Sequence, residues 1–260
     1  MVFPTKGENH IQGVKNEKDI VKYMNEHTGN VITRHFEKLY NSEVEEWKHE
    51  GGTKQKMDAS VVLKSGEKSG ISIKNHDSGT FDWLNTTKGV PESLKNQIKE
   101  FAKINKDAPI PKTGGIRDDV ANIFSNYLNS LTSKDITELL DKIYQTEANT
   151  THIIVNDKKS KSLILFDESN LDPYCNSNHN HEFILKSTSI AKTSRQIWIK
   201  SKDGIEINTH LRIRALLNNG VGALLGKSSK NKSSVPCLKI QQDNVDEFIS
   251  KCFGKVTLKY

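Results

Sequence analysis

The sequence predicts an α+β protein with a central mixed β-sheet flanked by helices. Three observations lead to this fold class: apolar residues recur at helical spacing near the N-terminus and again between residues 94 and 143, β-branched runs surround a polar turn near residue 66, and alternating strand-like segments dominate from residue 151 onward. The chain has 260 residues, of which 34% are hydrophobic and 27% charged, so it has enough apolar material for a real core. We expect a single domain over residues 1–260.

The N-terminal third should contain two helices and a hairpin. After Gly13, apolar side chains lie at mostly helical spacing up to Met24, and the first turns are acidic. A second helix is expected from Val31 to Trp47. The following segment, GGTKQKMDASVVLKSGEKSGISIKNH, contains two β-branched runs around a Ser/Gly/Lys turn, which predicts a β-hairpin.

Helices should precede strands in the remainder of the chain. One face of each of three helices is apolar, over residues 94–104, 120–128 and 136–143, and Ser133 is the expected N-cap of the third. Asp203-Gly204 is typical of a hairpin turn. The expected strands are THIIVND, SLILFD, EFILKSTSI, RQIWIK, IEINTHLRIR and VPCLKI, followed by an amphipathic stretch over 244–253 and a last strand near Val256.

The basic residues are concentrated in the C-terminal third. From Phe183 to Tyr260 there are 14 Lys and Arg against 5 Asp and Glu, whereas the first 182 residues have 24 against 27. This asymmetry is typical of a surface that binds a polyanion such as DNA. A solvated lysine-rich surface in a lysine-biased protein is the equally simple alternative.

The compartment is predicted from what the sequence lacks. The first residues, MVFPTKGENHIQG, contain no apolar core of a secretory signal, and no segment approaches the length of roughly 20 apolar residues of a membrane span. The three cysteines, Cys175, Cys237 and Cys252, are an odd number and do not suggest a disulfide framework. We therefore expect a cytoplasmic protein.

The hairpin carries residues suited to phosphodiester hydrolysis. Asp58 and Lys74 are symmetric about Gly66, so they should face each other across the strands, with Ser72 on the same face as Lys74. A carboxylate can hold Mg²⁺, and a nearby cation can orient or activate the attacking water. The alternative is an ordinary cross-strand ion pair on the surface.

Asp58, thirteen intervening residues and then Ser72-Ile73-Lys74 resemble the D…(D/E)-x-K signature of the restriction-endonuclease-like fold. The surrounding segment is similar to that of the MspI-like group of small four-base-cutting enzymes in the PD-(D/E)xK superfamily. In that group the middle acid is often a neutral amide, and this chain departs further with a serine. The resemblance implies catalytic roles for Asp58, Ser72 and Lys74, and it makes the backbone carbonyl of Ile73 a metal ligand.

A second resemblance concerns the first helix. GVKNEKDI is similar to the opening helix of the same group, in which a glutamate projects toward the metal. Here that residue is Glu17, which would supply the acid missing at position 72. The alternative is a first-turn acid favoured by the helix dipole. The segments INTHLRIRALLNNG and PCLKI also resemble the late strands of these enzymes.

The resemblance implies a type II restriction endonuclease that hydrolyses double-stranded DNA at a short site with Mg²⁺. It also implies a cognate DNA methyltransferase, and the small relatives include monomers and dimers, so a homodimer is possible. A structure-selective repair or junction nuclease on the same fold is one alternative. A catalytically inactive DNA-binding protein, suggested by Ser72, is the other.

The expected DNA contacts come mainly from the basic third of the chain. Arginine is the usual bidentate reader of guanine. Arg212 and Arg214 share one face of a predicted strand, while Leu211 and Ile213 take the other. A flexible basic segment, KSSKNKSS, should contact phosphates without regard to sequence. The predicted DNA-binding residues are Arg117, Arg195, Arg212, Arg214, Lys227, Lys230 and Lys232.

The segment CNSNHNH contains possible zinc ligands, Cys175, His179 and His181. Structural zinc sites usually need four well-spaced ligands, and the chain has no CxxC pair. A polar loop before a strand is the preferred interpretation of this segment.

Overall fold

The computed structural model describes residues 6–51, 57–76, 80–86, 90–109, 116–144, 150–171, 181–187, 192–217, 220–227 and 235–260. The chain forms two compact units, whereas a single domain was expected from the sequence. Unit 1 comprises residues 1–81, 144–173 and 245–260, and unit 2 comprises residues 82–143 and 174–244. The basic C-terminal third is therefore divided between the two units.

Unit 1 is built on a mixed six-stranded sheet with the order β1-β2-β3-β5-β6-β11. The pair β3–β5 is parallel, and the other neighbouring pairs are antiparallel. This arrangement agrees with the predicted mixed sheet. Its strands are β1 (Val44–His49), β2 (Ala59–Leu63), β3 (Lys68–His76), β5 (Thr150–Asp157), β6 (Ser162–Asp167) and β11 (Val256–Lys259).

Two helices, α1 (Lys6–Glu26) and α2 (Val31–Tyr40), pack against this sheet. Their apolar faces join the sheet in one core, in which Met24, Phe36 and Ile71 are fully buried. A 3-10 helix at Glu168–Leu171 and a short helix at Val245–Lys251 complete the unit. Aromatic contact between Phe166 and Phe248 joins that short helix to β6.

The predicted helix from Val31 to Trp47 is wrong in its second half. The helix α2 begins after Asn30, whose side chain accepts hydrogen bonds from the backbone N–H groups of Ile32 and Thr33. It ends at Asn41, which adopts the left-handed conformation. The chain then enters β1, where Trp47 pairs with Val61 of β2 and is buried. Burial in the sheet outweighs the weak local helical preference of this segment.

The hairpin of β2 and β3 forms as predicted, but its register differs from the expected one. Ala59 pairs with Ile71, so Asp58 lies opposite Ser72, and its predicted position opposite Lys74 is wrong by two residues. The turn is a three-residue loop in which Gly66 takes a positive φ of 88°. Ser65 is thus the centre of the turn, and Gly66 follows it.

Unit 2 contains a second sheet with the order β4-β10-β9-β8-β7, antiparallel from β10 to β7. Its strands are β4 (Phe81–Thr86), β7 (His181–Ser187), β8 (Ser194–Ser201), β9 (Glu206–Leu217) and β10 (Pro236–Gln242). The helices of the unit are α3 (Glu92–Ile104), α4 (Ile116–Ser130), α5 (Ser133–Tyr144) and a short helix at Gly220–Leu224.

The later elements largely match the prediction. All six predicted strands, the Asp203-Gly204 turn and the last strand are present, whereas β4 was not anticipated. The cap of α5 is Thr132 and not Ser133, because the Thr132 hydroxyl accepts from the backbone N–H of Asp135 at 3.2 Å. The Asp135 carboxylate accepts in return from the Thr132 backbone N–H at 2.7 Å. In the described part of the chain, no helix combines the length and apolarity that a membrane crossing requires.

Candidate active site and nucleic-acid interface

Asp58 lies immediately before β2 and is held against β3. Its Oδ2 accepts a hydrogen bond from the backbone N–H of Ile73 at 2.7 Å and a second from the Ser72 hydroxyl at 3.1 Å. The described residues make no hydrogen bond to its other oxygen, Oδ1. The Ser72 hydroxyl and the Ile73 N–H therefore orient the carboxylate through Oδ2.

The edge of β3 beyond Ser72 carries the remaining predicted groups. Because β2 begins only at Ala59, the residues from Ile73 to His76 pair on one side with β5 and have no β2 partner on the other. The N–H and C=O groups of one strand residue point to the same edge. Since the N–H of Ile73 reaches Asp58, its carbonyl also points toward the edge where Asp58 lies.

Glu17 reaches this edge from α1 and is hydrogen-bonded to a residue that sequence reasoning did not identify. Its Oε2 lies 3.0 Å from Nε2 of His49, the last residue of β1. Both side chains are mostly buried, with 18% and 19% of their surface exposed. A Cβ on Gly51 would lie 2.8 Å from His49 Nε2 and 3.0 Å from Glu17 Oε2. A larger residue at position 51 would therefore require the His49 or Glu17 side chain to shift.

Glu17 lies within electrostatic range of both Asp58 and Lys74. Burial raises the pKa of Glu17, and the negative charge of Asp58 raises it further. The hydrogen bond from His49 and the positive charge of Lys74 oppose this rise in the pKa. Asp58 and Lys74 are thus both close enough to influence Glu17, and in the strand register Asp58 lies opposite Ser72.

The donors in this cluster fit Mg²⁺ better than a softer ion. Asp58, Glu17 and the Ile73 carbonyl offer hard oxygen atoms, and two half-buried carboxylates that repel each other would be stabilised by a divalent cation. Mg²⁺ commonly uses one or two carboxylates and keeps several waters. Within the described ranges, no group of three or more His, Cys, Asp or Glu side chains is arranged to hold a metal.

Unit 2 carries the second predicted set of residues on one face of β9. Leu211 and Ile213 are buried, at 1% and 0% exposure, and Arg212 and Arg214 alternate with them on the half-buried face. The predicted alternation is therefore confirmed.

Both arginines are held by polar neighbours. Arg212 Nη2 donates to Asp243 Oδ1 at 2.7 Å, and Arg214 Nη1 donates to Gln241 Oε1 at 3.3 Å. Gln241 in turn donates to Asp82 at 2.7 Å. Burial raises the pKa of Asp243, and the charge of Arg212 partly offsets that rise. The guanidiniums are thus oriented, and their buried Nε atoms have no hydrogen-bond partner among the described residues.

Arg195 does not belong with these residues. Its side chain is 5% exposed and donates to Asn129 Oδ1 at 2.9 Å and to Ser125 Oγ at 2.6 Å, both on α4. Two further bonds reach backbone carbonyls, at 3.0 and 2.8 Å. We therefore correct its predicted role: Arg195 joins β8 to α4 inside unit 2. Arg195 lies two and four residues before Ile197 and Ile199, so it shares their buried face of β8. That spacing is the sequence signal that could have indicated its burial.

Two of the remaining predicted DNA contacts are exposed on the described part of the chain. Arg117 is exposed in the first turn of α4, and Lys227 is exposed after the short helix Gly220–Leu224. Lys230 and Lys232 lie outside the described residues, as do Cys175 and His179 of the possible zinc site. His181 is the first residue of β7.

Comparison with known proteins gave no relative of this chain. No protein-family model matches it, and searches of curated proteins and of solved structures found no significant match.

Proposed function

We propose that this protein is a Mg²⁺-dependent endonuclease that cuts double-stranded DNA at a short sequence, as type II restriction enzymes do. The observation that carries the proposal is the convergence of Glu17, Asp58, Ile73 and Lys74 at one edge of β3. These groups come from three separate elements. A chance surface ion pair would not require a hydrogen-bonded Asp58 and a partly buried Glu17 beside it.

Each residue has a distinct task in the proposed reaction. Asp58, Glu17 and the Ile73 carbonyl would hold Mg²⁺, which supplies Lewis acidity and a bound water of lowered pKa. Ser72 keeps the Asp58 carboxylate in place through its hydroxyl. Lys74 orients the attacking water or offsets the negative charge that develops on the phosphate. His49 fixes the direction of the Glu17 carboxylate.

The proposed DNA contacts lie in unit 2 and in the exposed basic residues. Arg212 and Arg214 are the proposed base readers, because a strand with one buried face can present them without loss of order. Arg117 and Lys227 are exposed and suit phosphate contacts. Lys230 and Lys232 are assigned to phosphate contact from the sequence alone.

Mutation separates the two kinds of contact. Arg212→Ala or Arg214→Ala should cost about 1–3 kcal/mol of binding free energy for the preferred duplex and far less for scrambled DNA. The triple change of Lys227, Lys230 and Lys232 to Ala should weaken binding to both duplexes and flatten the salt dependence. Equal losses for both duplexes in the arginine variants would contradict their role as base readers.

The direct test is digestion of plasmid and phage DNA with Mg²⁺, with EDTA as the negative control. We expect discrete fragments whose sequenced ends share one short motif. Ca²⁺ should support binding but little cleavage, because its looser coordination misplaces the attacking water. A smear or intact DNA across several substrates would argue against a restriction-type enzyme, and cutting of branched substrates alone would indicate a junction nuclease.

A second candidate function is duplex binding without cleavage. The serine at position 72, which stands where the nuclease signature has an acid, favours it. This candidate predicts binding that is unchanged by EDTA, together with intact DNA in Mg²⁺ and Mn²⁺.

A further inference from the structure

A buried amide in unit 1 connects three elements beside the candidate active site. Asn156 lies on β5 and is 4% exposed. Its Nδ2 donates to Asn16 Oδ1 on α1 at 2.7 Å, and its Oδ1 accepts from the hydroxyl of Tyr260 at 2.6 Å. The same Nδ2 lies 3.5 Å from Oδ1 of Asn75 on β3. Both ends of the Asn156 amide are therefore used.

Two of these partners adjoin residues of the candidate site. Asn16 precedes Glu17 on α1, and Asn75 follows Lys74 on β3. Asn75 and Asn156 are also register partners in the parallel pair β3–β5. The amide thus connects the helix segment that carries Glu17 with the strand segment that carries Lys74.

The apolar core alone does not define where α1 lies along the sheet. Ile20, Val21 and Met24 pack into it, but apolar contact is non-directional and depends mainly on area. A short hydrogen bond is directional, so it restricts both sliding and rotation of the helix. The network is not optimal for stability, since the Nδ2 of Asn16 is buried with no partner among the described residues. An apolar pair would avoid that cost.

We propose that Asn156 is a positioning residue that holds α1 against β3, so that Glu17 remains beside Asp58 and Lys74. The effect on metal binding and cleavage rests on the proposed function. The effect on the position of α1 does not, and it can be measured without metal or DNA.

The test uses the full chain with Asn156→Leu, which keeps the branched shape of the side chain and removes the amide. Asn170→Leu is the matched control, because Asn170 is also 4% exposed in unit 1 and uses its amide fully. It donates to the carbonyls of Asp167 and Phe253 and accepts from the N–H of Phe253 at 2.7 Å. Both variants should lower Tm, since each loses buried hydrogen bonds.

The readouts are hydrogen exchange in peptides from α1, Mn²⁺ affinity by calorimetry, and kcat and KM on plasmid DNA. Asn156→Leu should accelerate exchange in α1, weaken Mn²⁺ binding by about ten- to a hundredfold and lower kcat with little change in KM. Asn170→Leu should change none of these. Tyr260→Phe, which removes a single hydroxyl, should act in the same direction more weakly and serves if Asn156→Leu does not fold.

Each outcome decides the proposal. Unchanged α1 exchange in Asn156→Leu, or equal loss of Mn²⁺ affinity in both asparagine variants, overturns it. If the wild type neither binds Mn²⁺ nor cuts DNA, the proposed function fails, and accelerated exchange confined to α1 still supports the positioning role.

Discussion

Replacing Asp58 by asparagine should abolish most cleavage while leaving the fold intact. An asparagine carbonyl can occupy the place of Oδ2 and accept the same bonds from the Ile73 N–H and the Ser72 hydroxyl, at 2.7 and 3.1 Å. The change therefore removes a charge while the Ile73 N–H and the Ser72 hydroxyl keep their acceptor. We expect the free energy of unfolding to fall by less than about 1 kcal/mol, since only the charge assistance of two hydrogen bonds is lost.

The effect on catalysis should be far larger. Loss of the Asp58 carboxylate from the proposed metal site should lower the cleavage rate at least about a hundredfold, which corresponds to about 2.7 kcal/mol. The assay is single-turnover cleavage of a plasmid in Mg²⁺, with urea unfolding of the same preparation. Glu43→Gln is a matched control, because Glu43 is an exposed carboxylate of the same unit that pairs with Lys64.

The same variant tests the geometry without DNA. Because Asp58 raises the pKa of Glu17, Asp58→Asn should lower that pKa, and Lys74→Met should raise it. A carboxyl-detected NMR titration measures both shifts. If the Glu17 pKa were unchanged in both variants, or if Asp58→Asn cut DNA at the wild-type rate, the arrangement of the site at the edge of β3 would be refuted.

Three further predictions follow from single features. Gly51→Ala should weaken Mn²⁺ binding, because its Cβ would lie 2.8 Å from His49 Nε2 and displace the pair with Glu17; unchanged affinity by calorimetry would contradict this. Arg195→Met should lower the free energy of unfolding by about 3 kcal/mol in urea titrations, because four hydrogen bonds of a buried guanidinium are lost. A variant that is as stable as the wild type but binds DNA weakly would instead support the predicted role of Arg195 as a DNA contact. The pKa of Glu17 is raised above its ordinary 4.5 in the folded protein. Its contribution to stability is therefore present below pH 4.5 and is lost as the pH rises through the folded-state pKa. In urea unfolding at a series of pH values, the stability of the wild type relative to Glu17→Gln should decline over that range.

Local patterns in the sequence were sufficient to predict the hairpin and the later strands. β-branched residues and alternation identify β2, β3 and the strands of the C-terminal third, because each signal lies within a few consecutive residues. The same alternation correctly placed Arg212 and Arg214 on one face. It would also have placed Arg195 on the buried face, had the phase of β8 been considered.

Features that depend on distant contacts could not be predicted in this way. His49 and Glu17 are separated by 32 residues, and no local signal connects them. The hairpin register depends on which residue lies at the centre of the turn. Ser65 takes that place instead of Gly66, and this change of one position shifts every cross-strand pair by two residues. The network of Asn156 spans 140 residues to Asn16, so its members look like ordinary polar residues in the sequence.

The parallel pair β3–β5 also determines when the strand that carries Lys74 can be completed. Residues 77–149 separate the two strands, so their contact closes a long loop, and such contacts form slowly. A ribosome that adds about 5–20 residues per second needs roughly 4–16 s to synthesise the chain from His76 to Asp157. During that interval β3 can pair only with β2 among its eventual neighbours, and its other edge presents unpaired N–H and C=O groups. Overproduction should therefore be sensitive to temperature and to synthesis rate, because slower accumulation of nascent chains reduces encounters between open β3 edges.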